Sequence, residues 1–75
     1  MEIKFLREFI CLAEHLNFHE AAKKLYISQP VLSRHIIEME NELDVQLFIR
    51  NKQSVKLTPI GQVVLEEAKG IIRRY

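Results

Sequence analysis

Ser28-Gln29-Pro30-Val31-Leu32-Ser33-Arg34 constrains this chain more than any other stretch, because it opens a helix and sets short polar groups and an arginine near that helix's positive end. Ser28 offers an N-cap oxygen to a free amide of the first turn, and Pro30 suits a position that needs no intrahelical donor. A helix therefore starts near Gln29. Leu32, Ile36, Met39 and Leu43 follow at steps of four, three and four, which stacks them on one side as the core face. The opposite side carries Pro30, Ser33, Arg34, Ile37 and Asn41, with Gln29 at its leading end. A lone amphipathic helix ordinarily turns such a face to solvent. The neighbouring segments point elsewhere.

Glu20 to Leu25 reads as a short helix containing Ala21, Ala22 and Leu25, and only Tyr26 and Ile27 separate it from Ser28. Two helices joined so tightly form a helix-turn-helix, whose steep crossing needs the close backbone approach that small Ala21 and Ala22 permit. Upstream, Ile3, Leu6, Phe9, Ile10, Ala13 and Leu16 make the apolar stripe of a first helix, with Lys4 and Glu8 one turn apart on its surface. Asn17-Phe18-His19 ends that helix, with Phe18 expected as a buried anchor. Asn17 or His19 then stands near the next helix start, where histidine is a mediocre cap.

Asp44 falls where the chain must leave the third helix, through a left-handed conformation that aspartate tolerates. The period then changes. Leu47-Phe48-Ile49 and Val55-Lys56-Leu57 are β-prone and flank the polar turn Asn51-Lys52-Gln53-Ser54, which predicts a two-stranded hairpin. It is either a plain surface hairpin or, beside a nucleic acid, a wing whose Arg50, Lys52 and Lys56 meet phosphate. Thr58-Pro59 repeats the cap-and-proline start and opens a last helix that runs to the end of the chain. Its apolar residues Ile60, Val63, Val64, Leu65, Ala68, Ile71, Ile72 and Tyr75 spread over about half the circumference, wider than one core requires. Either a second copy covers the surplus, in a two-fold dimer through Val64, Leu65, Ala68, Ile71, Ile72 and Tyr75, or the core or a further domain absorbs it.

At 75 residues the chain is one domain. A domain of that size buries only about 60% of its unfolded surface and gains from a partner copy. Hydrophobic residues at 48% and charged residues at 28%, with no long apolar run, fit a soluble globular protein rather than a disordered or membrane-spanning one. Met1-Glu2-Ile3-Lys4 lacks the basic-then-apolar pattern of a secretory leader and Cys11 is a single cysteine, so a cytoplasmic location is expected. A net charge of +1 does not by itself mark a nucleic-acid binder. Its distribution is uneven, however: Arg34, Arg50, Lys52 and Lys56 lie on the contact elements, whereas Glu38, Glu40, Glu42 and Asp44 gather toward the far end of the third helix.

No cofactor, metal or catalytic role is expected. His15 and His19 are four apart, but the helix breaks between them and no cysteine or carboxylate completes a ligand set. Neither a phosphate loop, a nucleophile motif nor a carboxylate pair is present, and so short a chain leaves little room for a substrate pocket. His35 reads as an exposed histidine, or else as a pH-dependent phosphate contact beside Arg34, and Cys11, off the main stripe, as an incidental thiol.

Taken together, Leu6-Arg7-Glu8-Phe9, Asn17-Phe18, Ala21-Ala22-Lys23-Lys24-Leu25 and Ser28-Gln29-Pro30-Val31-Leu32-Ser33-Arg34 resemble the N-terminal domain of the LysR-type bacterial transcriptional regulators. Glu40-Asn41-Glu42-Leu43, Leu47-Phe48-Ile49-Arg50 and Val55-Lys56-Leu57-Thr58-Pro59-Ile60-Gly61 continue the likeness over essentially the whole chain. The resemblance implies a mainly α, winged helix-turn-helix fold: a three-helix core, a two-stranded wing and a C-terminal linker helix. It implies a DNA-binding domain over residues 1–57 and the start of a dimerisation helix over 58–75, with no effector-binding domain, so that a small-molecule inducer acts only in a full-length protein. It also implies sequence-specific binding of double-stranded promoter DNA as a homodimer, the helix from Gln29 entering the major groove.

By position, Ser28, Gln29, Pro30, Ser33, Arg34 and Ile37 on that helix and Arg50, Lys52 and Lys56 on the wing would carry the contacts. The chemistry agrees, since glutamine pairs with adenine, arginine with guanine or phosphate, and an apolar side chain with the thymine methyl. The chain departs from the family's usual residues at His19 (usually threonine or serine), Asp44 (glycine), Gln53 (arginine) and Ile37 (often basic). The last two lower the charge facing DNA and imply weaker non-specific binding. The rival reading is a winged helix kept as a protein-interaction module, which steep salt dependence would separate from DNA binding.

Overall fold

The computed structural model describes residues 1–75 as α1 (Ile3–His15), α2 (Phe18–Leu25), α3 (Gln29–Leu43), β1 (Phe48–Arg50), β2 (Val55–Leu57) and α4 (Pro59–Arg74). Each boundary has a local cause. Leu16 stops α1 in the left-handed region at φ 51°, and Asn17 caps α2, its side-chain oxygen accepting from the Glu20 amide at 2.9 Å. The second helix thus begins at Phe18, earlier than expected, with Asn17 rather than His19 as its cap. Tyr26 closes it at φ 58°, and Ser28 Oγ accepts from the Val31 amide at 3.2 Å to start α3. Asp44 ends α3 at φ 56°, as its position implied.

The antiparallel hairpin pairs Phe48 with Leu57, Ile49 with Lys56 and Arg50 with Val55. Asn51 shapes its turn by accepting from the Gln53 and Ser54 amides at 2.9 and 2.8 Å. Because side chains alternate across a strand, Phe48 and Arg50 face the helices while Ile49 and Lys56 face away.

Helix α1 lies at the centre, packed by α2, α3 and α4. Phe9, Leu12, Leu32, Ile36, Met39, Leu47 and Phe48 are fully buried, and Phe9 meets Phe48 edge to face at 5.6 Å. The packing corrects the expectations for four residues. Leu12 joins the core because α1 is covered on more than one side, and Glu8 is buried too, not paired with Lys4 on the surface. Leu16 is exposed, since the helix has already ended there. Leu43 is likewise exposed: the last turn of α3 runs past the core, beside the chain's amino terminus, whose amine lies 3.1 Å from Glu42.

Helix α4 is anchored at its start. The Thr58 hydroxyl donates to the Gln46 carbonyl at 2.6 Å and accepts from the Gly61 amide at 2.9 Å, while the Thr58 amide donates to the Leu47 carbonyl. Gly61 permits that approach, because a Cβ there would sit well inside contact distance of the Leu47 carbonyl oxygen. Further along, Leu65 and Ala68 enter the core. They are therefore unavailable to a partner copy, which removes them from the dimer surface read from sequence. Val64 and Ile72 are half-buried, and Ile60, Val63, Ile71 and Tyr75 stay exposed along one flank.

Candidate nucleic-acid interface

The outward side of α3 presents Gln29, Pro30, Arg34, Ile37 and Asn41, all exposed, while Ser33 is half-buried on the flank nearest the wing. Two features aim this face. The Ser28 cap and Pro30 fix where the helix begins, and the free amides of its first turn lie at the same end as Gln29. Leu32, Ile36 and Met39 then lock the opposite side into the core.

Between α3 and the hairpin runs an open cleft lined by Phe18, Gln29, Pro30, Ser33, Arg50, Asn51 and Val55. Arg50 forms its floor and is half-buried. Its Nη1 donates to Ser33 Oγ at 3.2 Å, its Nη2 lies 3.7 Å from Glu40 Oε1, and its guanidinium carbon stands 4.8 Å from the centre of the Phe18 ring. A guanidinium held on three sides braces the wing against α3, with less freedom to follow a phosphate than exposed Arg34 has.

Glu40 completes this brace. It is one of the acids expected to gather toward the far end of α3, but it is buried, and its Oε2 accepts from the Leu47 and Phe48 amides at 2.8 and 3.2 Å. Those two donors begin the strand and would otherwise be orphaned. Of the remaining acids at that end, Glu38, Glu42 and Asp44 are exposed.

His35 is neither exposed nor aimed at phosphate. Its Nδ1 lies 2.7 Å from Glu8 Oε1 and its ring 4.7 Å from that of Phe5, so α1 clasps α3 at the residue next to Arg34. The two partners stand 27 positions apart, which is why no local pattern revealed them.

Lys52 occupies the hairpin tip, in the shallow groove that also includes His19 and Gln29. Lys56 sits on the hairpin face opposite Arg50 and is not drawn into the cleft. His19, expected from sequence as a mediocre cap and as half of a rejected metal pair with His15, places Nδ1 3.1 Å from Gln29 Nε2. Its departure from the usual residue was the one available signal.

Cys11 is half-buried, and burial, with help from the Glu14 carboxylate and against Lys24, pushes its thiol above the ordinary value. That is the reverse of what a reactive thiolate needs. His15 turns back along its own helix, Nδ1 donating to the Cys11 carbonyl at 2.8 Å. No three His, Cys, Asp or Glu side chains converge as a metal site, and no helix is long and apolar enough to cross a membrane.

Known proteins share this fold and much of this sequence. The profile of the family described as bacterial regulatory helix-turn-helix protein, lysR family, matches residues 3–62. The HTH-type transcriptional regulator XapR of Escherichia coli (strain K12) is 48% identical over 71 residues, covering 95% of this chain and 24% of that protein. The chain spans about a quarter of the length of the curated relatives it matches. Among solved structures, the BenM DNA-binding domain in complex with catB site 1 DNA superposes with a TM-score of 0.93 at 40% identity, over 99% of this chain and 83% of that one. The complex of the CbnR DNA-binding domain with DNA gives 0.94 at 38% identity, over 97% of this chain and 84% of that one.

Proposed function

The chain belongs to the LysR family of bacterial regulatory helix-turn-helix proteins, and from that premise we propose that it binds double-stranded promoter DNA through the outward face of α3. The observation that carries the proposal is the one exposed face on which a capped helix start, Gln29, Pro30 and Arg34 stand clear of the core beside a braced wing. Superposition on two solved domains bound to DNA supports it.

In this reading α3 enters the major groove. Gln29, Ser33, Arg34 and Ile37 meet base edges or adjacent phosphates, Ser28 and Pro30 border the backbone, and Lys52 reaches phosphate from the hairpin tip. Arg50 mainly holds the wing in register, and Lys56 meets only phosphate lying beyond the wing's outer face. The role is regulatory and not enzymatic, and the location cytoplasmic. Residues 1–57 form the binding unit and 58–75 the start of the linker helix.

Two copies pair through the exposed flank of α4, with Val64, Ile71, Ile72 and Tyr75 at its centre and Val63 beside them. Paired recognition helices then ask for half-sites about 34–36 Å apart, or a multiple, in an interrupted palindrome. A small-molecule inducer acts through a part of the full-length protein outside residues 1–75. Selection of bound fragments from bacterial genomic DNA tests this reading. An enriched two-fold motif is the expected result; a folded chain that enriches no sequence would overturn it in favour of a protein-interaction module.

A further inference from the structure

We propose that His19 is a positioning residue that fixes the side-chain amide of Gln29, so that the pair reads adenine at one position of each half-site; this rests on Gln29 meeting a base edge, as argued above. Asn17 has taken over the capping of α2, which leaves the exposed His19 ring free for another partner. Its Nδ1 lies 3.1 Å from Gln29 Nε2, across the turn that joins the two helices. An amide nitrogen only donates, so Nδ1 is the acceptor and the ring proton sits on Nε2.

The consequence is chemical. A free glutamine amide can rotate by half a turn and exchange its donor and acceptor. Here the nitrogen is held on the His19 side, which keeps Oε1 on the other side as an acceptor and leaves one N–H of Nε2 to donate outward. Adenine presents a donor at N6 and an acceptor at N7, and matches both. Guanine presents two acceptors, N7 and O6, and one of them would face Oε1 in either orientation of the amide. Fixing the amide therefore penalises the base pair that presents its donor and acceptor in the reverse order, thymine in place of adenine on the contacted strand, to which a rotating amide would adapt.

Selection from a randomised duplex pool, run in parallel on the chain and on Gln29→Ala, His19→Ala, His19→Leu and His19→Asn, reads base preference position by position. Gln29→Ala should abolish an adenine preference at one position of each half-site. His19→Ala should reduce that same preference about three- to tenfold, the worth of one hydrogen bond. His19→Leu, a second side chain without an acceptor, should do likewise and serves if the alanine variant does not fold. His19→Asn should keep the preference within about twofold, because its Oδ1 offers an acceptor in place of Nδ1. Melting curves should coincide, His19 being exposed.

If Gln29→Ala changes no position, the base-contact reading of Gln29 fails and takes this inference with it. If Gln29→Ala removes the preference and neither His19→Ala nor His19→Leu weakens it, only the positioning role is overturned. A uniform loss of affinity over all sequences would make His19 a phosphate contact, a preference for a base other than adenine would contradict the amide geometry, and failure of His19→Asn to restore it would exclude the acceptor; each overturns the inference.

Discussion

Helices α3 and α4 begin with the same chemistry and turn different surfaces outward. Each has a hydroxyl N-cap followed by proline in the first turn, and each buries one side against α1. Their outward sides differ: α3 shows Gln29, Pro30, Arg34 and Asn41, whereas α4 shows Ile60, Val63, Ile71 and Tyr75. A local start signal decides that a helix forms and where. The composition of the side left over decides whether it suits a polyanion or another apolar surface.

The two helices also differ in how they are fixed. The Ser28 cap is exposed and makes one bond, whereas the Thr58 hydroxyl is buried and makes bonds on both sides, to Gln46 and Gly61. Helix α3 gains its rigidity further along, from His35 against Glu8 on one flank and Glu40 against the strand amides on the other. Helix α3 is thus held on both flanks by its own His35 and Glu40, and α4 by Thr58 at its start and by Leu65 and Ala68 in the core.

The largest effect is expected where that flank bracing is cut. Glu40→Ala leaves the Leu47 and Phe48 amides without their acceptor and should cost about 3 kcal/mol in urea unfolding. A loss below about 1 kcal/mol would mean that the wing holds itself in place. Next, Thr58→Ala should cost about 2 kcal/mol against about 1 kcal/mol for Ser28→Ala, because only the former also removes a bond to a carbonyl. Equal costs would erase the proposed difference between the two starts. The smallest effect on the fold is expected from Ile71→Ser on the exposed flank of α4. It should leave the melting of the dilute chain unchanged and weaken self-association by about 1 kcal/mol per subunit, read by sedimentation. An unchanged association constant would detach that flank from dimer formation.

Helix starts and the hairpin were legible because their causes lie within a few residues: Ser28 and Thr58 with their prolines, the left-handed Asp44, and the polar turn at Asn51. What sequence reading missed depends on distant partners. Glu8 looked like half of a surface pair until α3 supplied His35, and Glu40 looked like one of several acids until the strand supplied two amides. Periodicity found one stripe on α1, but a helix covered from several sides also buries Leu12. On α4 it found the width of the apolar arc without dividing it, and Leu65 and Ala68 fell on the core side. On the candidate face, type and position pointed to Gln29, Ser33 and Arg34, whereas the contact of Gln29 with His19 needed the geometry of the turn.

Titration of a selected duplex at several salt concentrations, with the chain and with Arg34→Ala, tests the central claim most directly. Affinity should fall steeply with salt for the parent. Arg34→Ala should either lose about 1–3 kcal/mol of binding to the selected sequence or lower the salt slope by about one. Affinity and slope both unchanged in Arg34→Ala, with the fold intact, would contradict the assignment of the outward face of α3 as the surface that meets DNA.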